Sequence, residues 1–149
     1  MNGLSEMSMQ QIIMNFTIPP SFDDLQVIAG DVIDNIPEEL LEHFEDIDIQ
    51  IDDVVGEAIE MELNLDDPFD LLVMFTSGKE ISPGVESKST NETDMLTLYR
   101  RPILDLWCEE GEDLTVLIRQ IIIEELGRAF DLSDDDVEEM VGRHHQGLL

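Results

Sequence analysis

The chain has 149 residues, with 7 Lys+Arg against 36 Asp+Glu and a formal net charge of −29 at pH 7. A surface this acidic repels nucleic acid and anionic lipid, because phosphate binding needs Lys and Arg to displace counterions; no nucleic-acid and no membrane partner is expected. The hydrophobic fraction of 42% is that of a globular domain, and the longest unbroken apolar run, Leu71 to Phe75, falls far short of the ~20 residues that span a bilayer.

No basic segment precedes an apolar stretch at the N-terminus, so no secretory signal is expected. One cysteine, Cys108, cannot make an internal disulfide or a thiolate metal cage. A soluble cytoplasmic domain is the expected class. Residues 1–78 hold 19 Asp+Glu and no Lys or Arg, while the other 17 acids share residues 79–149 with all seven bases. Such charge suits a basic partner or substrate, and it equally describes a solvated surface adapted to a salty cytoplasm.

Met1 to Pro20 is polar, methionine-rich and closed by Pro19-Pro20, and reads as a flexible leader over residues 1–20. A domain over 21–142 and a tail over 143–149 complete the expected organisation, with no internal repeat. Ser21 ahead of Phe22-Asp23-Asp24 is a serine N-cap with an acid three residues on. Phe22, Leu25, Ile28, Val32 and Ile33 recur at helical spacing and predict a helix from Phe22 to Asn35. Pro37, at a first helical position, opens a short second helix through Leu40, Leu41 and Phe44.

Ile47, Ile49 and Ile51 alternate with Asp46, Asp48, Gln50 and Asp52, a half-buried strand with a carboxylate-rich face. Val54 to Leu65 predicts a third short helix, stopped by Pro68. Leu71 to Thr76 predicts a buried strand, followed by a turn at Ser77-Gly78-Lys79 and a short hairpin arm at Glu80 to Ser82. Pro83 to Asp94 has the composition of a loop, and Met95 to Arg100 alternates as a further strand. Pro102 starts a helix with Ile103, Leu106 and Trp107 on one face, and Cys108 beside them reads as a small core residue. A turn at Gly111-Glu112-Asp113 leads into the longest periodic segment, Leu114 to Phe130, and Ser133 caps a last helix through Met140. Helices outnumber strands, so the expected class is α+β, a small mixed sheet covered by helices.

The Leu114 to Phe130 helix is the informative element. At roughly 100° per residue, Leu117, Ile118 and Ile121 fall within about 60° of Leu114. The same sector then receives Glu125 and Arg128, with Glu124 at its edge. A buried charge costs several kcal/mol unless paired, so these side chains must neutralise one another or face a cleft. Glu124 and Arg128 are i,i+4, and Glu125 and Arg128 are i,i+3, both adjacent on a helix. A helix with a frayed, solvated end carrying surface ion pairs gives the same pattern.

Two further stretches add to this one. Leu98-Tyr99-Arg100-Arg101-Pro102-Ile103-Leu104 and Ile121-Ile122-Ile123-Glu124-Glu125-Leu126-Gly127-Arg128-Ala129-Phe130-Asp131-Leu132-Ser133-Asp134-Asp135 resemble the small bacterial zincin-like metallopeptidase family, whose second stretch reads approximately V-x-H-E-I-G-H-H-F-G-L-S-D-D. Phe22-Asp23-Asp24-Leu25, Ile36-Pro37-Glu38-Glu39-Leu40 and Pro68-Phe69-Asp70-Leu71-Leu72 resemble it too, in the right order. In an H-E-x-x-H helix two imidazoles hold Zn²⁺ and the Glu between them activates the bound water. By that resemblance Glu124 stands at the first His, Glu125 at the general base, Arg128 at the second His, Ala129 at the adjoining His, Asp131 at the Gly and Asp134 at the third-ligand Asp. Both helical histidines are replaced, and an arginine offers a cation no lone pair.

The resemblance implies a compact zincin-like domain whose long helix carries a degenerate metal motif, in which Arg128 substitutes for the charge of the metal and gathers Glu124, Glu125 and Asp134. Glu125 is then a vestigial general base, and no metal or cofactor is expected at Glu124, Arg128 and Asp134. Zinc would enter only if other residues rebuilt the site, and His144 and His145, read as part of a solvated tail, are the candidates. His43, between Glu42 and Glu45, reads as a surface residue. Three functions stay open: a pseudoenzyme that keeps a groove beside the strand Met95 to Arg100 and binds a peptide or basic protein as a regulatory domain; an active hydrolase using Glu124, Glu125 and Asp134 with an unusual metal; and an acidic interaction module.

Overall fold

The computed structural model describes residues 19–44, 46–78 and 93–147, with side chains through residue 143. The expected leader through residue 18, the hairpin arm at Glu80 to Ser82 and most of the loop after it lie outside the described residues. Among those described, six helices and three strands follow one another: α1 (Phe22–Asp34), α2 (Glu38–Leu41), β1 (Ile47–Asp52), α3 (Glu57–Glu62), β2 (Val73–Thr76), β3 (Asp94–Tyr99), α4 (Arg100–Glu110), α5 (Leu114–Ala129) and α6 (Asp134–Gly147). The class is α+β with a small mixed sheet, as the sequence implies.

Local chemistry sets most of the boundaries. Ser21 and Asp24 cap α1 reciprocally: the Ser21 hydroxyl accepts the Asp24 N–H at 3.1 Å, and the Asp24 carboxylate accepts the Ser21 N–H at 2.8 Å. Asp67 accepts the Phe69 N–H at the start of a single 3-10 turn over Pro68–Asp70, ahead of β2. Gly111, at φ +71, ends α4 in the left-handed conformation that only glycine adopts freely. Asp113 then caps α5, its carboxylate accepting the N–H groups of Thr115 and Val116.

The sheet has the order β1-β3-β2. β1 pairs parallel with β3, Ile47 opposite Asp94 and Ile51 opposite Leu98, while β2 pairs antiparallel, Val73 opposite Leu98 and Thr76 opposite Met95. β3 is therefore the middle strand, which corrects the expected groove beside it: both of its edges are taken by hydrogen-bonded neighbours. Leu96 and Leu98 at its centre are fully buried.

The core lies between this sheet and α5. Leu117, Ile118, Ile121, Ile122, Ile123 and Leu126 are all buried. That is a wider apolar surface than one stripe, because α1, β2, α4 and α6 all pack on α5. α3 is shorter than expected and buries no residue, bounded by Gly56 at its N-cap and by Asn64 at φ +58. α4 begins ahead of Pro102, which sits in the first turn where its missing N–H costs nothing. Cys108 is exposed on this helix rather than in the core. α6 runs to Gly147, past the expected end at Met140, which is 1% exposed and anchors it. Among the described residues no helix is long and apolar enough to cross a membrane.

Candidate functional site

The site begins with how α5 ends. The Leu132 N–H bonds to the Gly127 carbonyl at 2.8 Å and the Asp131 N–H to the Arg128 carbonyl at 3.2 Å, the paired bonds of a Schellman cap. Such a cap needs one left-handed residue, and Asp131 fills that place at φ +61; aspartate tolerates this region better than most side chains. Ser133 follows, its hydroxyl accepting the Asp136 N–H at 3.1 Å to start α6. The reversal lays α6 against α5 where Gly127 has no side chain: a Cβ there would lie 2.5 Å from Val137 Cγ2.

Between the last turn of α5 and the first turns of α6 lies a depression of about 460 Å³, lined by Glu124, Arg128, Asp131, Leu132, Asp134, Val137 and Glu138. Four carboxylates surround two apolar side chains. Glu124 is exposed at its rim and accepts a hydrogen bond from Gln120 Nε2 at 3.1 Å. Asp134 is exposed on the α6 side.

Glu125 turns the other way, toward the sheet, and its side chain is only 11% exposed. Its Oε1 accepts from Arg128 Nε at 2.9 Å, and its Oε2 accepts from Arg128 Nη2 at 2.8 Å and from the Phe75 N–H at 2.8 Å. Leu72, through its carbonyl, bonds to Tyr99 N–H across the sheet. Alternate residues of β2 therefore face β3, and the Phe75 N–H points away from β3, where Glu125 meets it. Phe75 also packs edge-on against Phe130 at 5.1 Å between ring centroids, and the exposed His43 stacks on the same Phe130 ring at 4.6 Å and 15°.

The structure thus joins Glu125 to Arg128 as the i,i+3 spacing implies, and puts Glu124, Arg128 and Asp134 around one depression. Of the two readings left open for this face, Arg128 and Glu124 follow the solvated helix end, and Glu125 alone is largely buried. The Arg128 side chain is 65% exposed and Glu124 is exposed, because long charged side chains lay their stems along the surface and keep their heads in water. Phe75, Leu132, Val137 and Glu138 are site residues that sequence reasoning did not reach. For the α6 pair a signal existed: Gly127 and the Ser133 cap together imply a second helix folded tightly back on the first. The side chains of His144 and His145 lie outside the described residues.

The residues that the resemblance sets at the ligand positions, Glu124, Arg128 and Asp134, do not fit Zn²⁺. Arg128 brings a fixed positive charge and no lone pair, and among the described residues no three His, Cys, Asp or Glu side chains converge to hold a metal ion. The backbone here is a helix, a left-handed residue at Asp131 and a second helix capped by Ser133. A family model described as zincin-like metallopeptidase matches residues 44–144, well over half of the chain. The chain belongs to the zincin-like metallopeptidase family. No curated protein matches the sequence. Within this zincin-like chain Glu125, which the resemblance sets at the general-base position, lies on the long helix α5 with its side chain 11% exposed.

Proposed function

We propose that this zincin-like chain is a pseudoenzyme without zinc-dependent peptidase activity, working as a cytoplasmic binding domain for a basic protein or peptide. The observation that carries the reading is the state of Glu125, whose two oxygens take three hydrogen bonds from Arg128 and the Phe75 N–H. A general base must offer an oxygen to the proton of its water, and a zincin glutamate does so beside a metal that lowers the water's pKa. Here three of the carboxylate's roughly four acceptor sites are taken, two of them by a bidentate, charge-assisted pair, and the guanidinium supplies the positive charge.

The depression supports a basic occupant. Leu132 and Val137 suit the methylene stem of a lysine or arginine, and Glu124, Asp131, Asp134 and Glu138 suit its charged head, an arrangement that favours fast, salt-sensitive association. The test is elemental analysis of the purified chain after incubation with Zn²⁺, paired with titration by a Lys/Arg-rich peptide. We expect far less than one zinc per chain, and peptide binding that weakens about tenfold when Asp134 and Glu138 are replaced by Asn and Gln. Stoichiometric zinc, or zinc-dependent peptide cleavage, would refute the reading. Glu124→His combined with Arg128→His is expected to create zinc binding; a folded double variant that binds none would show that these positions are misassigned.

A further inference from the structure

Asp134, Val137 and Glu138, which line the depression, belong to α6, so the depression exists only while α6 lies against α5. Several contacts hold it there. Met140 is in the core, Val137 fills the space above Gly127, and the Arg143 guanidinium pairs with Glu39 of α2 at 2.8 Å. One residue opposes them. Arg119 sits on the face of α5 that α6 covers, is 6% exposed, and makes one long hydrogen bond, from Nη1 to the Met140 carbonyl at 3.4 Å.

Among the described residues no carboxylate pairs with Arg119. The charge that acts on it is Arg143, of like sign, and burial together with Arg143 pushes its pKa down to about 10. A guanidinium carries five donors, and a charge shut away from water without a counter-ion is costly. That cost is lifted once α6 moves off and water reaches it. The Arg143–Glu39 pair is exposed on both sides, the kind of ion pair that restrains weakly.

We propose that α6 is a releasable arm, undocking from α5 about the turn at Asp131 while the rest of the domain stays folded, and that a basic ligand in the depression holds it down. The ligand half of this rests on the function proposed above; the release itself does not. Local opening of one element below the global unfolding free energy is the general mechanism, and a ligand bridging α5 and α6 stabilises the docked state by mass action.

Amide hydrogen exchange on the full chain, read by mass spectrometry, tests it. We expect α6 amides to exchange at least about tenfold faster than those of α5, Arg119→Met to slow α6 about tenfold, and Glu39→Ala, which breaks the pair with Arg143 and leaves the Arg143 charge in place, to speed it. Equal exchange in the two helices overturns the proposal, as does α6 protection that Arg119→Met leaves unchanged. Should Arg119→Met fail to fold, Glu39→Ala decides: unchanged α6 exchange overturns the arm. Saturating Lys/Arg-rich peptide is expected to slow α6. A peptide that does not bind refutes the proposed ligand, while the comparison of free α5 and α6 still judges the arm.

Discussion

Glu125 sits on the inner side of the last turns of α5, holding an arginine three residues on and a backbone amide of β2 fifty residues away. Its carboxylate is half-buried and its partner's guanidinium is largely in water, so the two sides of the pair are not equally sensitive. Removing Arg128 leaves Glu125 with the Phe75 N–H and access to solvent, and we expect Arg128→Ala to cost about 1 kcal/mol. Glu125→Ala orphans the Phe75 N–H as well and should cost about 2–3 kcal/mol, whereas Glu125→Gln keeps that acceptor and should cost about 1. Urea unfolding midpoints check the series, and a loss above about 3 kcal/mol for Arg128→Ala would mean that the guanidinium is buried. The adjacency of Glu125 and Arg128 was legible from spacing alone. Whether their face was buried was not, since a core stripe and a solvated helix end share one periodicity, and Phe75 was hidden because the direction of its N–H depends on how β2 pairs.

At the level of elements, the contact between α5 and α6 is the most exacting. Gly127 lies inside a helix, where alanine would ordinarily be preferred by about 1 kcal/mol. The methyl group would, however, stand 2.5 Å from Val137 Cγ2, and a β-branched side chain has few rotamers with which to yield. Overpacking wins: Gly127→Ala should destabilise by about 1–3 kcal/mol, and combining it with Val137→Ala should recover most of that loss in a double-mutant cycle. Calorimetry of the four proteins measures it. The elements with strong local signals, the capped α1, the alternating β1 and the periodic α5, stood in the sequence at nearly their observed bounds. α3 and the end of α6 did not, because tertiary context rather than periodicity decides where a weakly amphipathic segment stops, and the exposure of Cys108 turned on which side of α4 meets the core.

Across the whole molecule, a formal charge of −29 on 149 residues makes self-repulsion a standing cost of compaction. Salt screens such repulsion over about 10 Å at 0.1 M. Raising NaCl from low concentration to 1 M should therefore lift the thermal midpoint by roughly 5 °C, measured by scanning calorimetry, while weakening any basic ligand. A midpoint that falls with salt would show that attractive ion pairs, such as Arg143–Glu39, outweigh the net charge. The family's overall class was legible from the motif, yet the strand order was not, since the sequence shows which segments extend and not which of them becomes central. That order has a consequence for synthesis. Each outer strand bonds to β3 alone among the described residues, and β3 is the last of the three to leave the ribosome. Until β3 emerges, neither outer strand has the sheet partner it bonds in the folded chain, so the pairing of both follows its synthesis.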